Sequence, residues 1–147
     1  MTKKFILSAL ACAVIIAIPN AIITPLFYYD FLKNNSGLPP ELWEKVQRTV
    51  EETEVVAAVL SILLIGCLTT LVIYWTKVKT FMEGFKKVFI FSVLMMGVVN
   101  FGLLGTTHYW SYKSAIIDIL VASITFALGG GVAALIMGWE KKQNGQL

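Results

Sequence analysis

Among the polar side chains set in the apolar stretches of this chain, four stand out: Asn20, Thr24, Asn100 and Asp118. Carboxamides and a carboxyl set in hydrocarbon-like sequence have a narrow chemistry. They hydrogen-bond one another, or they take up a proton or a cation. Asn20 and Asn100 are each ~20–22 Å from one end of their apolar blocks, and Thr24 and Asp118 are ~28–30 Å along, at ~1.5 Å per helical residue. The pair of asparagines is therefore placed to bond across two helices, or to line a polar cavity. Asp118 has three readings: a hydrated residue at a helix mouth, a partner for Lys113 or His108, or a proton or cation site. Glu54, with Glu51 and Glu52 before it, makes the mouth of the second apolar block acidic. Acids there attract cations, and they also suit the positive end of a helix dipole.

His108, the only histidine, stands in Thr106-Thr107-His108-Tyr109-Trp110. It reads as a turn residue or as a pH-responsive neighbour of Asp118. One histidine without clustered cysteines or carboxylates is a poor metal site. Cys12 and Cys67 read as small packing residues. There is no CxxC pair and no Ser-His-Asp or Cys-His arrangement with supporting context. The expectation is a protein without enzymatic activity, metal or cofactor.

The elements that hold these residues follow from composition. Of 147 residues, 57% are hydrophobic and 14% charged, with mean hydropathy +0.76. A soluble domain is about 25% charged. The apolar residues fall into four blocks, 5–28, 55–75, 88–107 and 115–139, each near the ~20 residues that cross a bilayer. Backbone groups without water must bond within their own segment, so the blocks are predicted to be helices. The fold class is an all-α integral membrane protein with four transmembrane helices, forming one membrane domain over residues 1–147.

Lys3, Lys4, Lys77, Lys79, Lys86, Lys87, Lys141 and Lys142 flank one set of block ends. Only Lys33, Lys45, Arg48 and Lys113 occupy the opposite loops. The eight-to-four division predicts both termini and the middle loop in the cytoplasm. It also accounts for the net charge of +3 without nucleic-acid binding. The first span is read as retained, because its apolar run is long and Pro19-Asn20-Ala21 is a poor cleavage sequence. In size and topology the chain resembles small four-span bacterial membrane proteins, a likeness without functional weight. The expected location is a bacterial cytoplasmic membrane, with the lipid bilayer as the first partner.

The chain also reads as built twice. Without gaps, Phe5-Ile6-Leu7-Ser8-Ala9-Leu10 aligns with Phe89-Ile90-Phe91-Ser92-Val93-Leu94. A second register aligns Glu54 with Asp118, Gly66 with Gly130 and Trp75 with Trp139. The prediction is two tandem, parallel helical-hairpin repeats, 1–79 and 80–147. An outer-loop helix at about 40–54 is added in the first, from Pro39-Pro40 and the spacing of Leu42, Trp43, Val46 and Val50. Pro19 and Pro25 should kink or unwind the outer half of the first span. Ser92, Gly97, Gly102 and Gly105, and then Gly129-Gly130-Gly131, Ala133 and Ala134, are expected to allow close helix packing.

Two functions remain open. The favoured one is an accessory, scaffolding or immunity-type subunit that binds a protein partner through Trp43 and Gly130. The alternative is a small homo-oligomeric transporter or channel with an outward-facing polar site at Asn20, Thr24, Asn100 and Asp118.

Overall fold

The computed structural model describes residues 3–46, 52–108 and 110–139. It is all-helical there. Four helical runs are long and apolar enough to span a membrane: Lys3–Asn35, Val55–Thr76, Phe81–Thr106 and Tyr112–Gly138. The first is continuous but not uniform. An α-helix α1 (Lys3–Ile23) passes through a π-helical turn (Thr24–Tyr28) into α2 (Tyr29–Asn35). Pro25 lacks a backbone donor, so the i→i−4 ladder cannot close at its position. The chain widens instead, and Tyr29 N–H reaches back to Thr24 O, the five-residue step of a π-turn.

A short helix α3 (Pro40–Val46) follows, then α4 (Val55–Thr76), α5 (Phe81–Thr106) and α6 (Tyr112–Gly138). The outer-loop helix is seen through Val46; residues 47–51 lie outside the described residues, and Glu52, Thr53 and Glu54, expected to be helical, form a turn and extended backbone instead. α5 starts well before the expected residue 88. Thr80 Oγ1 accepts the Glu83 N–H at 3.3 Å, which satisfies one of the open donors of the first turn. Phe81, Phe85 and Phe89 then stack at helical spacing, with centroids 6.3 and 6.2 Å apart. Ser111 caps α6 in the same way, by accepting from Ser114 N–H at 3.2 Å. α4 ends on Lys77, which has φ 53° and ψ 24°. A side chain with a Cβ costs about 1–2 kcal/mol in this left-handed region.

α6 is the central helix. It touches α1, α4 and α5, whereas α1 and α5 share no contact among the described residues. Over its most apolar stretch α6 is 56% buried, against 17% for α5, so α5 stands at the edge. The glycine triplet explains the close fit. A Cβ on Gly129 would lie 2.6 Å from Cys12 Sγ of α1, one on Gly130 2.4 Å from Val88 of α5, and one on Gly131 2.5 Å from the Phe81 ring. Gly130 is thus consumed inside the chain, which corrects its expected role in binding a partner. The third-span glycines are also corrected. Nothing lies within 4 Å of a Cβ on Gly97, Gly102 or Gly105. Only Ser92 and Asn100 of that stretch are buried.

At one end of the bundle, Lys4 Nζ donates to Trp139 O at 2.5 Å, and Gly138 packs on the Lys79 backbone. At the other, Asn35 O accepts from the Ser111 and Ser114 hydroxyls, the latter at 2.8 Å. The lysine-rich segments therefore share one end. Gly66 and Gly130 play matching parts, since each lets its helix cross the preceding span. The facing residues do not follow the gap-free register, however. Gly66 meets Ala9 and Ala13, and Gly130 meets Gly84 and Val88. The register would put Gly97 in Ala13's place, and Gly97 faces open space.

Gly130→Ala should destabilise the bundle by about 1–3 kcal/mol through overpacking. Gly102→Ala should be neutral or stabilise by up to about 1 kcal/mol, through better helix propensity alone. Unfolding of the two variants in the same detergent separates these outcomes.

Candidate functional site

Asp118 lies in the second turn of α6, roughly 9 Å from the helix start, and is half-buried. Two other helical runs converge on it. Tyr28, the last residue of the π-turn, donates its hydroxyl to Asp118 Oδ1. Asn100 of α5 donates its side-chain amide to Asp118 Oδ2 at 2.8 Å. The same amide nitrogen donates to Met96 O at 3.1 Å. Two acceptors on one side settle which end of the carboxamide is nitrogen. Its oxygen is left buried without a hydrogen-bond partner, in a residue only 1% exposed.

The π-turn is what makes this geometry possible. One residue added to the ladder turns every later side chain by about 100° relative to a straight α-helix. Tyr28 reads in the sequence as one more interfacial aromatic. The signal that could have found it is Pro25, three residues earlier, which breaks the ladder at that point.

The carboxyl has neutral partners only. Among the described residues no ion pair joins it. Lys113, an expected partner, places its Nζ 5.6 Å from the centroid of the Phe31 ring. His108, the other, is exposed on the loop between α5 and α6. A lone carboxylate in a membrane-spanning helix needs a counter-charge, and a proton or a cation can supply it. The donor set speaks against the cation. Both neighbours aim hydrogens at the carboxyl, whereas a hard cation needs six or more converging oxygens. The arrangement does not suit a metal ion, and since both hydrogen bonds favour the ionised carboxyl, an incoming proton must displace one of them.

The remaining candidates sit apart. Asn20 is half-buried on α1. The bond expected between Asn20 and Asn100 is not formed, because the Asn100 amide goes to Asp118 and Met96 and its oxygen has no donor. Thr24 is exposed, on the outside of the π-turn rather than in the site. Glu54 is exposed at the start of α4. Trp43 is 1% exposed and packs edge-on to Tyr29, centroids 6.4 Å apart. An external anchor must offer its ring to a partner, so the docking role expected for Trp43 is corrected: it pins α3 onto α2.

Sequence-derived polarity continues below Asp118. Ser123 of α6, Thr70 of α4 and Ser8 of α1 are all 0% exposed, and their hydroxyls have no hydrogen-bond partner. The three helices touch one another pairwise. Buried hydroxyls usually bond a backbone carbonyl, so three without one are unusual. Comparisons with family models, with curated proteins and with solved structures gave no match.

Tyr28→Phe should cost about 0.6–1.7 kcal/mol, the range of interhelical hydrogen bonds in membrane proteins. In a double-mutant cycle with Asp118→Asn, the two changes should couple by a similar amount. Additive effects would mean that the contact contributes nothing.

Proposed function

We propose that this is a small non-enzymatic transporter or channel of the membrane, in which Asp118 accepts and releases a proton. The observation that carries the reading is the carboxyl itself: inside a spanning helix, held by Tyr28 and Asn100 from two other helical runs, and joined by no ion pair among the described residues. The buried hydroxyls of Ser123, Thr70 and Ser8 support a polar route through the interior shared by α1, α4 and α6. The orientation we infer puts the lysine-rich end in the cytoplasm, so that Asp118 lies in the outer half of a bacterial cytoplasmic membrane. We read the chain as two fused hairpins, with α4 and α6 nearest the pseudo-twofold axis, and as working in a homo-oligomer.

The accessory, scaffolding or immunity-type reading rested on Trp43 and Gly130 as contact residues. Both are spent inside the fold, which is why the transport reading is preferred.

Full-length protein in liposomes, with an internal pH dye and an imposed potassium diffusion potential, tests the proposal. Proton uptake is expected. Asp118→Asn should lower it by more than about tenfold, as loss of a proton-transfer group does. Trp43→Ala should leave flux per folded protein unchanged. Absence of flux, with a stoichiometric complex with a different protein in native mass spectra, would overturn the proposal and restore the accessory reading.

A further inference from the structure

The lysine-rich end carries six exposed lysines: Lys3 and Lys4 at the start of α1, Lys77 and Lys79 between α4 and α5, and Lys86 and Lys87 in the second turn of α5. Glu83 is the only acid among the described residues there. Trp75 and Trp139 stand beside them with 67% and 72% of their surface exposed. From this end an apolar furrow runs up the outside of the bundle between α1 and α4. It starts at Phe5 and Ile6, beside Lys3 and Lys4, and passes Leu10 and Leu63. Beyond them it continues to Ala17 and Val59. Phe5 to Ala17 is roughly 18 Å of helix, slightly more than the ~15 Å depth of one leaflet's hydrocarbon.

Lys77 adds an independent observation. It is the only non-glycine residue with positive φ among the described residues. Glycine caps a helix there without steric penalty, so the cap alone gives no reason for a lysine. Its position at the end of α4 puts it near Lys3 and Lys4, because Tyr74 packs edge-on to Phe5 at 6.3 Å.

We infer that this furrow and its lysine mouth bind one anionic phospholipid. The headgroup phosphate meets the ammonium groups of Lys3 and Lys77, an acyl chain lies along α1 and α4, and Trp75 sits at the interfacial level. The choice of occupant rests on charge and length together: a mouth of positive charge over a wholly apolar furrow one leaflet deep.

Native mass spectrometry of the full-length protein with added phosphatidylglycerol or phosphatidylcholine tests this. Phosphatidylglycerol should be retained preferentially. Lys77→Gly should weaken its binding by about fivefold, the worth of one lysine near a headgroup, while raising the thermal stability of the lipid-free protein. Ala17→Phe, which fills the furrow, should weaken binding with all lysines in place. Lys45→Gln, at the opposite end, should change nothing. Unaltered phosphatidylglycerol binding by Lys77→Gly and Ala17→Phe, or equal weakening by Lys45→Gln, would overturn the inference.

Discussion

The bundle depends on how closely α1 and α5 approach α6 at Gly129-Gly130-Gly131. Lipid tails are as apolar as leucine, so helices in a bilayer gain little from hydrophobic burial and associate by packing. A backbone without side chains gives that packing. Cys12 and Ile16 close on Gly129, Val88 on Gly130 and Phe81 on Gly131. These contacts set the depth of α1 and α5 against α6. They thereby determine which residues face Asp118 three turns further along.

The consequence at Asp118 is a carboxyl with two good donors and, among the described residues, no counter-charge. Asn100 is locked by two acceptors on one nitrogen, and Tyr28 is delivered by a π-turn that Pro25 imposes. The two donated hydrogen bonds favour the ionised carboxyl, so taking up a proton displaces one of them. Proton binding is then linked to the position of Tyr28, and so to the packing of the outer half of the first span. On the proposed transport reading, this linkage is what makes the polar cluster more than adhesive.

Much of the architecture could be read from hydropathy. Four blocks of apolar residues correspond to four helices long and apolar enough to span a membrane, and six of the described lysines that flank them share one end. Asn100 and Asp118 were legible as intramembrane polar residues from their type alone. Other features depended on information that periodicity does not carry. Tyr28 was hidden because one extra residue in the ladder rotates everything after it. Trp43 has the composition of an interfacial anchor, yet Tyr29 covers it. Gly97, Gly102 and Gly105 have the composition of a packing face, but α5 crosses α6 at Gly84 and Val88 and leaves those glycines outside. The gap-free repeat register failed at the same crossing, because apolar alphabets offer many registers and only side-chain volume chooses among them.

The most direct measurement is infrared difference spectroscopy of the reconstituted full-length protein between acid and alkaline buffer, with and without Asp118→Asn. The account predicts a protonated-carboxyl C=O band that titrates reversibly in the parent and is absent from the variant. A parent with no titrating band assignable to Asp118, over the range in which the protein stays folded, would contradict it.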